Sequence, residues 1–66
     1  MDAPMYCLAQ DSFDYYVYGN TDDVMIFIGA SPDIKWTLYF YSDKKDLIEA
    51  LININKKRST IIMSLL

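Results

Sequence analysis

The fold depends on one stretch, Ile34-Lys35-Trp36-Thr37-Leu38-Tyr39-Phe40-Tyr41. Successive side chains of a strand point to opposite faces, so a period of two divides these residues into two sets. The first set is apolar and predicts a core face: Ile34, Trp36, Leu38 and Phe40. The second set is aromatic but keeps hydroxyl and ammonium groups: Lys35, Thr37, Tyr39 and Tyr41. A strand of this kind needs cover on both of its faces.

Three earlier stretches also predict strands, because they are short and rich in aromatic, β-branched or other apolar residues. They are Met5–Ala9, Phe13–Tyr18 and Val24–Ile28. Turn-forming residues separate them at Gln10–Ser12, Gly19–Asp23 and Gly29–Asp33. Such short connections join antiparallel neighbours. The sequence therefore predicts an antiparallel meander of three to four strands over about residues 5–41.

One helix is predicted after this sheet, over about residues 43–58. Ser42 and Asp43 are typical of a helix start, and Lys56-Lys57-Arg58 suits a helix C-terminus. The apolar stripe between them has helical spacing: Leu47, Ile48, Leu51 and Ile52. Residues 59–66 repeat that spacing and predict an apolar helical tail, although their β-branched residues also permit a strand. The expected architecture is a single α+β domain, residues 1–66, with one C-terminal helix packed on one face of the sheet.

A second chain is expected to complete this architecture. The chain has 66 residues with one cysteine and no histidine, so neither a disulfide nor a zinc site is available to stabilise so small a core. A single helix covers only one face, which leaves the tyrosines of the other face open to a partner, to solvent or to the N-terminal segment. We expect a homodimer whose interface includes six residues: Met25, Phe27, Ile61, Ile62, Leu65 and Leu66.

The charges are divided unequally along the chain. Its net charge is −3, yet residues 1–33 contain six aspartates and no lysine or arginine, while all six basic residues follow. The negative field of the first half would repel nucleic acid, so we expect no direct nucleic-acid binding. The acidic, proline-broken N-terminus does not resemble a leader, and no apolar run is long enough to cross a bilayer. A cytoplasmic protein without membrane contact is expected.

Catalytic motifs are missing from this sequence. Without histidine there is no imidazole base and no histidine-dependent triad. Asp22 and Asp23 are adjacent, but turn chemistry explains them, and Gly19 and Gly29 are too isolated to form a phosphate loop. The aspartate spacing does not match a calcium-binding EF-hand loop. We expect no enzyme activity, no cofactor or metal, and no small-molecule substrate.

The leading hypothesis is an inhibitor that docks on a basic surface of a partner protein. Carboxylates replace backbone phosphates in this hypothesis, and aromatic rings anchor the complex. The candidate partner-binding residues are Asp11, Asp14, Tyr16, Tyr18, Asp22, Asp23, Asp33, Tyr39 and Tyr41. In size and acidity the chain is similar in kind to small phage-encoded proteins that mimic DNA. The alternatives are a homodimeric nucleic-acid-binding or regulatory module that uses Lys56-Lys57-Arg58, and a purely structural assembly subunit.

Overall fold

The structure is a computed structural model that describes residues 4–56 and 61–66, with the backbone alone at Ile61 and Ile62. The fold is α+β. Its elements in chain order are β1 (Tyr6–Gln10), β2 (Tyr15–Asn20), α1 (Thr21–Gly29), β3 (Thr37–Tyr41), α2 (Lys44–Asn55) and β4 (Ile61–Ser64).

The four strands form one mixed sheet in the order β3-β1-β2-β4. The first strand is one of the two inner strands and is antiparallel to both β2 and β3, with Leu8 opposite Tyr18 on one side and Tyr39 on the other. The last strand is parallel to β2 and places Ile61 beside Tyr15. The predicted antiparallel meander is therefore wrong, because β3 and β4 are added to opposite edges of the β1–β2 hairpin.

Each helix crosses the sheet on a different face. The chain passes from β2 to β3 by way of α1, and from β3 to β4, in the opposite direction, by way of α2. Reversing both the direction and the face gives the two crossovers the same hand. This is the arrangement that the right-handed rule for parallel crossovers requires when one helix is placed on each side.

The first face, here called the Trp36 face, packs against α1. Its buried centre consists of Cys7, Ala9 and Val24, and Trp36 and Leu38 pack around it. The strand register places Val17 on this face as well, since it is the antiparallel partner of Ala9. Fully burying a valine side chain such as that of Val24 or Val17 stabilises a fold by roughly 1.5–3 kcal/mol.

The second face, here called the tyrosine face, packs against α2. Its buried centre consists of Leu8, Tyr16, Leu47 and Ile54. Tyr6, Tyr18 and Tyr41 lie around this centre together with Ala50 and Leu51. The predicted helix therefore exists, but it covers the opposite face from the one we expected.

The main error in the predicted secondary structure is Val24–Ile28, which belongs to helix α1 and not to a strand. Strand β2 continues to Asn20, so Thr21 begins the helix directly and the expected Gly19–Asp23 turn is absent. Asp22 and Asp23 lie in the first helical turn, where the helix dipole favours negative charge. The start is also attached to the segment before β1, since the Thr21 N–H donates to the Met5 carbonyl at 2.9 Å.

The predicted helical tail is also wrong where the structure describes it. Ile61–Ser64 is a strand, and the Leu65 N–H donates to the Tyr18 carbonyl at 2.8 Å. A second apolar helix would have no remaining face to cover, whereas the free edge of β2 offers backbone partners to a β-branched segment. Helix α2 ends at Asn55 among the described residues, and residues 57–60 lie outside them.

Candidate partner-binding groove

A groove of about 240 Å³ lies on the tyrosine face between β3 and α2. Leu8 and Ile54 give it an apolar floor. Its polar lining is formed by Gln10, Tyr16, Tyr39, Tyr41 and Asn53. The groove is open to solvent along the β3 side, where the Tyr39 side chain is 44% exposed.

The register of the sheet explains why tyrosines from different strands meet here. Directly paired residues of antiparallel strands point to the same face. Tyr16 is paired with Gln10, and Tyr39 with Leu8, so all four side chains lie under the same helix. Tyr41 lies two residues after Tyr39 and therefore shares its face.

Two tyrosines of the groove, Tyr16 and Tyr41, have a pKa raised above the ordinary value, so their hydroxyls favour the neutral form. Burial raises the pKa of Tyr16 above its ordinary value of 10.0, and the negative charge of Asp14 raises it further. Burial also raises the pKa of Tyr41, followed by smaller effects of Tyr39 and of the Asp46 charge. The groove thus contains the neutral hydroxyls of Tyr16 and Tyr41, with the Asp14 carboxylate near the first and the Asp46 carboxylate near the second.

Asp14 is positioned by the β1–β2 connection. It adopts a φ of 63°, a left-handed conformation that aspartate and asparagine tolerate better than most residues. Its Oδ1 accepts a hydrogen bond from Gln10 Nε2 at 3.1 Å. Asp11 has a local role in the same connection, because its Oδ1 accepts from the backbone N–H groups of Phe13 at 2.8 Å and Tyr15 at 2.9 Å.

The structure separates the candidate aspartates into two groups at opposite ends of the sheet. Asp11 and Asp14 lie in the β1–β2 connection, and Asp33 lies at the same end in the connection from α1 to β3. Asp22 and Asp23 begin α1 at the other end. The six-residue strand β2 separates the groups by about 20 Å.

The candidate tyrosines differ in accessibility. Tyr16 is only 4% exposed and belongs to the core beneath α2, so its ring supports the groove from below. Tyr18 is half-buried against the same core but does not line the groove. Asp14, Tyr16, Tyr39 and Tyr41 are therefore brought together, whereas Tyr18 and the aspartates of α1 are not.

The residues expected at a dimer interface are distributed over several surfaces. Met25 and Leu66 are exposed, at 45% and 54%. Phe27 is half-buried and meets the Trp36 ring edge-on at a centroid distance of 6.5 Å. Leu65 packs against the core of the Trp36 face and lines a cleft with Phe27. The side chains of Ile61 and Ile62 lie outside the described part of the chain.

A second cavity, of about 290 Å³, lies on the Trp36 face. Tyr15, Phe27, Trp36 and Met63 form most of its apolar wall, and Asp11 lies at its rim. The Trp36 indole N–H is buried without a hydrogen-bond partner among the described residues. Strand periodicity did not indicate this cavity, because it depends on α1.

Sequence reasoning missed two polar residues that line the groove, Gln10 and Asn53, and also the Asp46 carboxylate near Tyr41. Gln10 shares its strand face with Leu8, a signal that was available from the period of two. Asn53 could be placed in the groove only by knowing which face of the sheet α2 covers, and the sequence did not indicate that face. The Lys56-Lys57-Arg58 group contributes one described residue, Lys56, and it is exposed at the end of α2.

Metal sites, membrane spans and known relatives were each searched for. Across residues 4–56 and 61–66, no three histidine, cysteine, aspartate or glutamate side chains converge into a possible metal site. Neither described helix combines the length and apolar character needed to cross a membrane. The comparisons with known proteins found no matching family model, no similar curated protein and no similar solved structure.

Proposed function

We propose that the protein is a non-enzymatic inhibitor that binds a basic surface of a partner protein through the tyrosine-lined groove. The observation that supports this function is the convergence of Tyr16, Tyr39 and Tyr41 in one groove with Asp14 and Asp46 near its ends. Tyrosine is enriched in protein interfaces because its ring buries area while its hydroxyl makes a hydrogen bond.

The groove chemistry suits an arginine or lysine side chain of the partner. The cation would lie against the exposed ring of Tyr39 and donate hydrogen bonds toward the Asp14 carboxylate. The Asn53 amide and the tyrosine hydroxyls supply further acceptors without adding charge. Nucleic-acid-binding surfaces are rich in such cations, so a docked copy of this chain would exclude the nucleic acid by occupying the same place.

Two double substitutions test the proposal; the groove variant removes one negative charge, and the variant at the start of α1 removes two. Asp14→Asn combined with Tyr39→Ala alters the groove, and asparagine keeps the left-handed backbone accessible. Asp22→Asn combined with Asp23→Asn removes charge at the distant start of α1. Each purified protein is immobilised and used to capture partners from a cell lysate, which are identified by mass spectrometry and then purified for affinity measurement.

The groove variant is expected to weaken binding of the captured partner by about tenfold or more, since it removes an anchor ring and a charge. The α1 variant should bind with nearly unchanged affinity at physiological salt. Loss of binding only in the α1 variant would assign recognition to the acidic helix start and reject the groove. A shift of labelled DNA by the wild-type protein alone would favour the nucleic-acid-binding alternative.

A further inference from the structure

The outer edge of β3 is open among the described residues, because β3 is the terminal strand of the sheet and pairs only with β1. Its five residues, Thr37–Tyr41, contain no charge and no proline. Natural sheet edges are usually protected by lysine, proline, a bulge or an overlying segment. An unprotected edge of strongly β-forming residues is suited to pairing with another strand.

Side chains on both faces of this edge also remain exposed. Tyr39 is 44% exposed on the tyrosine face, and Phe40 is 47% exposed on the Trp36 face. A strand added to the edge would cover both rings, whereas a partner docked on either face would cover only one. The edge therefore has both free backbone groups and apolar surface for an additional strand.

We infer that β3 pairs antiparallel with β3 of a second copy, with Tyr39 opposite Tyr39. Directly paired side chains of antiparallel strands share a face. When a two-fold axis relates the two strands, this requires one residue of the strand to lie directly opposite its own copy. Centring the pair on Tyr39 places Leu38 opposite Phe40 and Thr37 opposite Tyr41. All five residues of the strand are then paired, and the contact closes after two copies.

Charge complementarity selects this register. With Tyr39 at the centre, Lys35 of each copy lies opposite Asp43 of the other. Asp43 keeps an extended backbone, with φ −110° and ψ 138°, and its side chain does not cap α2. The carboxylate is therefore free of the helix and lies beyond the end of the strand. The smallest slip that preserves the faces is two residues, and it separates both Lys35–Asp43 pairs.

The pairing would also join the two tyrosine-lined grooves. Tyr39 lines the groove of its own chain, and the second copy would place another Tyr39 ring directly beside it. This inference concerns self-association alone and does not depend on the proposed partner. It is tested with the purified full chain, so its outcome is independent of the capture experiment.

Charge reversal is the first test, measured by sedimentation velocity over a concentration series. The wild-type chain is expected to reach twice its mass of 7.7 kDa. Lys35→Asp and Asp43→Lys should each raise the dimer dissociation constant by about tenfold, because the two-fold axis introduces every change twice. The double variant, which exchanges the two charges, should restore the wild-type constant. Circular dichroism verifies that each variant is folded.

Cysteine cross-linking tests the register. Tyr39→Cys brings two thiols together and should yield an oxidised dimer, while the native Cys7 is fully buried. Thr37→Cys is the matched control, since residues 37 of the two copies would lie about 13 Å apart, too far for a disulfide. A single-chain mass throughout the series, a dimer indifferent to both charge reversals, or faster cross-linking at position 37 would each overturn the inference.

Discussion

Gly19 controls how closely the end of the chain approaches strand β2. A Cβ at this position would lie 2.9 Å from the Leu65 Cβ and 3.1 Å from the Leu65 carbonyl carbon. Because the second of these is a backbone atom, a side chain at position 19 would force the segment after β4 to shift. The glycine is therefore needed for space, as its φ is not positive.

Gly19→Ala is expected to lower the free energy of unfolding by about 1–3 kcal/mol, the usual cost of overpacking. Gly29→Ala is the matched control, because nothing lies within 4 Å of the added Cβ at the end of α1. Alanine there should be neutral or stabilising by up to about 1 kcal/mol. Urea unfolding measures both changes, and equal effects at the two positions would contradict the packing around Leu65.

At the scale of elements, most strands could be predicted and one helix could not. The strands around Leu8, Val17 and Tyr39 were predicted because their aromatic and β-branched residues alternate between two faces. Val24–Ile28 has no such alternation, and a short apolar run fits a buried strand as well as a helix. The signal that distinguishes them lies just before it, since Thr21 and two aspartates form a typical first helical turn.

The helical state of this segment can be measured at Ile26, which is 73% exposed on α1. Ile26→Gly should be less stable than Ile26→Ala by about 1 kcal/mol, the difference in helix propensity between glycine and alanine. The same two replacements at Phe13, 79% exposed in the β1–β2 connection, serve as the control. There the helix-propensity term should be absent, so a larger difference at Phe13 than at Ile26 would argue against the helix.

The order of the strands could not be predicted, because it depends on contacts between distant parts of the chain. Local turn signals identify the β1–β2 hairpin, whose strands are adjacent in sequence. The places of β3 and β4 follow only after each helix is assigned to a face. Three residues that line the groove were predicted, namely Tyr16, Tyr39 and Tyr41, because strand periodicity already put the tyrosines on one face. Asp14, which accepts a hydrogen bond from the lining residue Gln10, was also among the predicted residues.

At the scale of the whole molecule, both faces of the sheet are covered by the chain itself. The prediction of a single covering helix is wrong, because α1 packs on one face and α2 on the other. The expectation that a second molecule covers the tyrosine face depended on that single helix, and a partner for this face stays a prediction. Apolar side chains remain exposed on the outer sides of the helices, as at Ile26 and Ile52, and on the edge strand β3, as at Phe40. Among these surfaces the β3 edge also offers unpaired backbone groups, so self-association is expected there.

Stability should decline in alkaline solution. Burial raises the pKa of Cys7, Tyr16 and Tyr41, so the folded state favours their neutral forms. The unfolded chain releases these protons at lower pH than the folded chain, which makes the unfolding free energy fall with rising pH. The loss begins near the ordinary values, 9.0 for the thiol and 10.0 for the hydroxyls, and continues through the raised values.

Urea unfolding between pH 7 and pH 11 measures this decline. Tyr16→Phe keeps the ring and removes the ionisable group, so the decline above pH 10 should become shallower. A slope insensitive to Tyr16→Phe would show that this hydroxyl does not titrate differently on folding.

The parallel pairing of β4 with β2 has a consequence for the order of folding. Ile61 meets Tyr15 only after nearly the whole chain has been arranged, whereas the β1–β2 hairpin closes across Asp11–Asp14. Contacts between remote segments require a long loop to close first, so they form late. We expect the hairpin to act as the template for assembly and the C-terminal strand to attach last. In brief native fluctuations the same strand should detach first, which would bare one edge of β2 while the two helices stay in place.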